Sequence, residues 1–571
     1  MPPPGHKLRF GPFELDPTAL ELRKLDRRIR IRPQACKLLV LLVRHTGEVV
    51  SREELRRHLW NEETFVDFDH SLNFCIRQIR SALGENADAP RYIETVPRVG
   101  YRFAATARPA VHSIAILPFR NTNCDPEVEY LSDGMTESLI RQLAVVPGLQ
   151  VMARSTVFRF KKKHLNPIET GRKLCVGAVV TGGVLEREGK IEVTIELVDV
   201  DSGAQLWGGH YIRPFRDIVQ LQSEIPAEIS EKLNFRLSGE QRKRAGTRST
   251  EDPEAYRWYL RGRYSWNKRM FEPAIQHFRR SLDADPLFAL AYAGLADCYG
   301  IMGFYGYLPP RESWPKAKAA ALKGLEIDAD ISEAHAALGF ANLFYDWDPS
   351  AGAVACRRAI GLNPNNHTAY QYYSCSLIAI QEHQEAIECM EKGRDLDPLS
   401  AWSQTGVAFS YYFARDYNRA EQEARKALEL DPDLAESRRW LGISLVQLGR
   451  HREAIPELRA AVEGLGDTPA ALGSLSRAYG CAGMLPEVQK IIDQLQAVAA
   501  TKKVAAASLA VAHLSIGNKD AALDWLARAV DNRSSWLIVL DAEPWWDPLR
   551  SDPRFQEIRK QIGIAGVTGD P

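Results

Sequence analysis

Between about residues 254 and 536 the apolar and small positions recur with a period of 34, longer than any single helix would produce. Pro364, Pro398 and Pro432 close the phrases Gly-Leu-Asn-Pro, Asp-Leu-Asp-Pro and Glu-Leu-Asp-Pro. Gly352, Ala386, Ala420, Ala454, Val488 and Ala522 keep the same step, and seven residues after each come Ala359, Gly393, Ala427, Ala461, Leu495 and Ala529. Two antiparallel helices approach closely only where small side chains sit at the crossing, and a proline ends the second helix and turns the chain into the next unit. The pattern predicts an all-α superhelix of about eight hairpins over residues 254–536, the seventh degenerate. A cap and tail over 537–571 follow, with a helix near Phe555–Ile562. Pro286 and Pro364 are two periods plus ten residues apart, which predicts a longer loop around Tyr305–Pro310. Trp314, Trp347, Trp402, Trp440 and Trp525 are candidates for the superhelix groove, although lone tryptophans are more often core.

Residues 1–106 follow another pattern. Phe10–Phe13, Ala19–Leu22 and Arg28–Ile31 are brief strand-like segments punctuated by Pro12, Pro17 and Pro33. A helix opens at Pro33, carries Leu38, Leu39, Leu41 and Leu42, and ends at Gly47. Ser51-Arg-Glu-Glu54 is a capping box that starts a second helix, Arg52–Trp60. In a third helix, about Asp69–Leu83, Leu72, Ile76, Ile79 and Leu83 recur at helical spacing and must face the core. Asn73, Arg77 and Arg80 form the opposite stripe, with His70, Phe74, Gln78 and Ser81 beside it. Amide and guanidinium groups at successive turns suit the major groove, where arginine pairs with guanine and asparagine or glutamine with adenine. Asp67 and Asp69 would repel phosphate and are expected to cap the helix. Arg91–Phe103 then alternates like a two-stranded ribbon turning at Pro97–Gly100. Arg98 at its tip suits a minor groove, and Thr95, Tyr101 and Arg102 suit phosphates.

Residues 111–237 read as a small α/β domain, joined to the repeats by a linker over 238–253. Ser113–Phe119 is an apolar strand-like run and Tyr130–Val145 a helix. Ile191, Val193, Ile195 and Leu197 alternate with polar residues, Gln205–Tyr211 is a partner strand, and Ile218–Leu233 a closing helix. Lys161-Lys-Lys163 is a candidate anion contact, though such a run is usually solvated surface.

Three resemblances follow from these residues. Trp258, Gly262, Ala274, Phe278 and Pro286, and later Leu441-Gly442, Ala454, Leu458 and Ala461, resemble the tetratricopeptide repeat, which implies a concave groove that binds peptides or proteins. Ile76-Arg-Gln-Ile-Arg-Ser-Ala-Leu83 and Tyr92-Ile-Glu-Thr-Val-Pro-Arg-Val-Gly-Tyr-Arg-Phe103 resemble the OmpR/PhoB-type winged helix of bacterial regulators. Position by position, that resemblance implicates His70, Asn73, Phe74, Arg77, Gln78 and Arg80 on the reading helix and Thr95 and Tyr101 on the wing. The wing departs from the family by one residue at Val-Pro-Arg98. Ile114-Ala-Ile-Leu-Pro-Phe119, Leu131-Ser-Asp-Gly-Met-Thr-Glu137 and a Gly182-Gly-Val-Leu185 turn resemble the α/β domain of TolB and FlgO-like proteins.

Composition narrows the function classes. Of 571 residues, 73 are basic and 73 acidic, so any DNA-binding surface must be local. Residues 1–105 hold 18 basic and 14 acidic side chains, a modest excess that favours dimerisation or adjacent sites on double-stranded DNA. No apolar stretch reaches the ~20 residues that span a bilayer, and the start lacks a signal-peptide core. Nine cysteines without CxxC spacing predict reduced thiols in a cytoplasm. Gly183–Lys190 is the only Walker-like run, and Ile191 follows its lysine where magnesium needs a hydroxyl. No catalytic constellation, cofactor or metal motif is expected. Two classes remain: a one-component transcription regulator whose repeats hold a protein or peptide, with RNA polymerase a further contact, or a repeat scaffold whose winged helix does not bind DNA. The fold class expected is multidomain: an α+β winged helix, a small α/β domain and an all-α repeat superhelix.

Overall fold

The computed structural model describes residues 8–563 apart from 11–12, 25–26, 60–67, 86–91, 98, 104–107, 110–112, 147, 162–165, 234–249, 467 and 503–504. The chain forms two compact units, Met1–His112 and Ser113–Pro571.

The first unit opens with strands β1 (Leu8–Phe10), β2 (Phe13–Asp16), β3 (Glu21–Lys24) and β4 (Arg27–Ile29). They begin and end elsewhere than the prolines suggest. Asp16 sets the first turn by accepting from the Thr18 and Ala19 amides at 2.9 and 2.8 Å, and Leu20 takes a φ of +51° to complete it. Helix α1 (Pro33–Arg44) has proline in its first turn. Strand β5 (Val49–Ser51) leads into α2 (Arg52–Leu59), where Ser51 Oγ accepts from the Glu54 amide at 3.2 Å as the capping box requires. Helix α3 (Phe68–Leu83) and strands β6 (Ile93–Val96), β7 (Gly100–Phe103) and β8 (Arg108–Pro109) complete the unit. One sheet has the order β4-β3-β2-β1-β8 and the other β5-β7-β6. Leu15, Leu22, Leu38, Leu39, Leu42, Leu55, Leu72 and Ile79 are fully buried in one shared core.

In the second unit β9 (Ser113–Ile116), β10 (Arg120–Asn121), β11 (Gln150–Val151), β12 (Ala178–Arg187), β13 (Lys190–Asp199) and β14 (Gln205–Pro214) form one sheet. Its order is β11-β9-β12-β13-β14, with β10 beside β12. Helices α4 (Glu129–Ala144) and α7 (Ile218–Lys232) are the two longest of this region, with α5 (Arg154–Phe158) and α6 (Pro167–Lys173) between them. Gly182 and Gly183, expected at a turn, sit within β12. A Cβ on Gly182 would lie 2.4 Å from the Thr194 carbonyl oxygen of β13, so glycine there permits close strand approach. Lys161 pairs with Glu129 and Asp133 of α4 and is no free anion contact. Lys162 and Lys163 lie outside the described residues.

Eight described helical hairpins follow, from Pro253–Asn267 with Phe271–Ala284 to Ala506–Ser515 with Lys519–Asp531, and Pro553–Ile562 is the cap helix. The small-residue track is buried: Ala386, Ala420, Ala454, Ala522, Ala359, Ala427, Ala461 and Ala529 are all at 0% exposure. At Gly442 a Cβ would meet Leu458 at 2.4 Å, which is the close crossing the period implies.

The α/β sheet and the array belong to the same unit. Glu137 of α4 accepts from Arg263 at 2.6 Å and Asn267 at 2.7 Å and pairs with Arg154 at 3.1 Å. Asp397 accepts from Ser155 at 2.5 Å and Thr156 at 2.8 Å, while Asn365 donates to the carbonyls of Ala144 and Leu149. Burial also pushes the Asp297 carboxyl up to about 7 and Glu543 up to about 7. A carboxyl raised in the folded state contributes stability fully present below its unfolded pKa and lost as pH rises through the folded value. The second unit is therefore expected to melt higher at pH 6 than at pH 8 on account of these groups. An Asp297→Asn, Glu543→Gln chain should show a flatter dependence in calorimetry, and an unchanged slope would refute the assignment.

Candidate nucleic-acid interface

The apolar period of α3 fixes which of its faces is free. Leu72, Ile76, Ile79 and Leu83 are no more than 3% exposed. On the other side Asn73, Phe74, Arg77 and Ser81 are exposed and Gln78 is half-buried. The outward stripe is thus Asn73-Arg77-Ser81, at spacings of four, with Phe74 flanking it. The Arg32 guanidinium stands 5.2 Å from the Phe74 ring centroid, placing a cation beside the stripe.

Arg80 has a different place from the one its spacing suggests. Its side chain is 12% exposed and its Nη2 donates to the Ile93 carbonyl at 2.9 Å and to Thr95 Oγ1 at 2.8 Å, with Glu85 3.9 Å away. It braces α3 against β6 of the wing. Thr95 is exposed but engaged by that contact. Tyr101, expected at a phosphate, is 3% exposed. Its hydroxyl donates to Asn73 Oδ1 at 2.8 Å and accepts from Arg52 Nη2 at 3.2 Å, and Arg52 also reaches Asn73 Oδ1 at 3.4 Å. Arg102 is half-buried and paired with Glu94 across the ribbon at 3.4 Å. The His70 side chain and all of Arg98 lie outside the described residues, as do Asp67 and the Asp69 side chain.

The three-residue arrangement Arg52–Tyr101–Asn73 holds the Asn73 carbonyl oxygen inward, so its amide NH2 is the group presented outward. Arg52 joins the candidate site through these contacts, which the helical pattern of α3 does not reveal. The signal is its place immediately after the capping Ser51, where the second helix begins against the wing: its amide donates to the Val99 carbonyl at 3.0 Å. Val99 itself is 50% exposed at the wing tip.

Residues 26–103 match the family described as transcriptional regulatory protein, C terminal. Residues 110–227 match the HilA/YgeH-like transcriptional regulator, second domain, and 408–471 the tetratricopeptide repeat. The match over the middle segment is to that second domain, in place of the TolB and FlgO-like resemblance. Together they define a class: a DNA-binding transcription regulator carrying a protein-interaction array of helical repeats. Within that class the chain is similar to the transcriptional regulator HilA of Salmonella typhimurium (strain LT2), 25% identical over 431 residues, 72% of this chain and 74% of that one. The transcriptional activator CadC of Escherichia coli (strain K12) is 32% identical over 96 residues, 17% of this chain and 18% of that one. A putative adenylate cyclase 3 of Rhizobium meliloti (strain 1021) is 35% identical over 191 residues, 33% of this chain and 32% of that one, so the chain spans about a third of that relative's length.

Proposed function

We propose that α3 enters the major groove of double-stranded DNA and that Asn73 and Arg77 read base edges there, while Phe74, Gln78 and Ser81 set the fit. The observation that carries this is the exposed Asn73-Arg77-Ser81 stripe with Asn73 oriented from behind by Tyr101 and Arg52. An ordinary solvated helix face has no need of such an arrangement. Thr95 and Arg102 serve mainly the ribbon, and His70 and Arg98 remain candidates for neighbouring contacts. The weak positive excess of this unit favours a homodimer or adjacent sites on DNA. The helical array takes a protein or peptide partner, and RNA polymerase is a further partner of the DNA-bound state. The chain works by binding rather than as an enzyme, in a cytoplasm. No helix among the described residues is long and apolar enough to cross a membrane.

Gel-shift titration with genomic fragments at two salt concentrations tests the reading. Arg77→Ala is expected to weaken sequence-specific binding by ~10- to 100-fold, the worth of one bidentate base contact. Arg80→Ala should instead lower the melting temperature of the first unit and leave the sequence preference intact. Undiminished selectivity in Arg77→Ala would sink the proposal. Tyr101→Phe removes the hydroxyl that orients Asn73, so it should relax discrimination at one base pair, read as a smaller ratio between the preferred site and a point-mutated one.

A further inference from the structure

Past Asp531 the 34-residue register stops, and the chain does something the repeats do not. Ser535–Val539 and Pro544–Leu549 are short 3₁₀ turns joined without a hairpin. They lie against the face formed by the first helices of the hairpins, which pack on one another in succession. Trp536 sits 5.1 Å from the ring of Phe304, 6.2 Å from Phe344 and 6.4 Å from Phe409, three aromatic residues from three different hairpins. Leu537, Ile538, Val539 and Leu540 are at most 3% exposed.

Polar groups of the array meet this segment along its length. Trp314 Nε1 donates to Ser535 Oγ at 3.1 Å and Trp347 Nε1 to the Ser534 carbonyl at 3.3 Å. Tyr412 Oη donates to Glu543 Oε1 at 2.8 Å, and Arg415 grips both oxygens of Asp547 at 2.8 and 2.9 Å. The partners are 131 to 221 residues apart in sequence, so the segment is bound by the array as a peptide would be, in its own chain.

We infer that the inner face of the array is a site for acidic, tryptophan-containing peptide segments, and that residues 534–549 occupy it in cis until such a segment from a partner protein displaces them. This rests on the reading that the array binds a protein or peptide. Two features make displacement feasible. The chain beyond the C-terminal end of the segment is held independently of the groove: the cap helix Pro553–Ile562 buries Phe555 completely, and Arg554 pairs with Asp520 of the last hairpin at 2.7 Å. The Arg415–Asp547 clamp is at the rim, its side chains 48% and 40% exposed, where water can replace it. A tethered occupant also sets a threshold, because an outside peptide must compete with a high effective concentration and sees its affinity reduced by the fraction of closed groove.

The test is fluorescence anisotropy with a labelled synthetic peptide of residues 534–549, titrated with the full chain and with a full-chain Trp536→Ala, Asp547→Ala variant whose own segment is weakened. The variant should bind the peptide at least tenfold more tightly than the wild type, and a peptide with its own Trp536→Ala change should not bind. A folded variant that fails to bind overturns the inference. Equal binding by both chains overturns the cis competition while leaving the array's peptide-binding role standing. Should the variant not fold, native-state hydrogen exchange on the wild-type chain decides: amides of 535–549 must exchange at least tenfold faster than those of the helix Ala401–Phe413, and matched exchange overturns the proposal.

Discussion

Gly100→Ala is expected to unfold the first unit at temperatures where the wild type is intact. A Cβ at this position would stand 1.9 Å from the Val50 carbonyl oxygen and 2.9 Å from the carbon of that carbonyl. Both are backbone, with no flexible end to swing aside. Gly100 pairs with Ser51 of β5 and with Val96 of β6, so the clash falls on the middle strand of the three-stranded sheet. Overpacking in a well-filled core costs about 1–3 kcal/mol, and a backbone collision belongs at or above the top of that range. For a unit of this size, about 3 kcal/mol corresponds to a fall of roughly 12–24 °C in melting temperature. Differential scanning calorimetry of the full chain should show the first unit's transition shifted down and that of the second unit in place. A first-unit transition within a few degrees of wild type would show that β5 and β7 can part without cost.

Glu137→Ala should have the second large effect, on the attachment of the α/β sheet to the array. Burial alone would raise this carboxyl, but the Arg263 and Arg154 guanidinium groups outweigh it and hold Glu137 below the usual carboxylate range. All three side chains are at most 22% exposed. Deleting the acid takes the shared partner from two largely buried cations, leaving Arg263 only the longer 3.6 Å pairing with Asp297, and breaking a buried pair in this way costs about 3–5 kcal/mol in comparable sites. Limited proteolysis should then cut the α/β region of the variant well before the array, whereas Glu137→Gln, which keeps one acceptor oxygen for an arginine, should be intermediate. Wild-type protease resistance in Glu137→Ala would mean that the Asp397 and Asn365 contacts suffice alone.

How far each element could be read in advance follows from the range of the interaction that makes it. The hairpin array was legible because its signal repeats: each Ala or Gly at a crossing is a local steric demand, stated again every 34 residues. The helical face of α3 was legible because four apolar residues at helical spacing exclude every other orientation. The first strands were misplaced because Asp16, an ordinary polar residue in sequence, decides the turn through two backbone amides. The exposed stripe opposite the core is shorter by Arg80 than helical spacing implies. Asn73, Arg77 and Arg80 are all compatible with an outward face, and helical spacing alone cannot tell that Ile93 and Thr95 of a later strand lie within reach of Arg80. The alternation of the ribbon likewise fits Tyr101 to a phosphate, and only the fold places its hydroxyl against Asn73.

The amino-acid sequence by itself determined the three kinds of architecture, the number of hairpins and the inward face of α3, since all of these come from contacts between residues close in the chain or from patterns that repeat. Tertiary structure alone decided which polar side chains of α3 stay exposed, that the middle sheet and the array make one unit, and that residues 534–549 pack against the first helices of the array. Those outcomes depend on groups brought together across tens to more than two hundred residues. A guanidinium or a tryptophan carries no mark in sequence of the partner that will reach it.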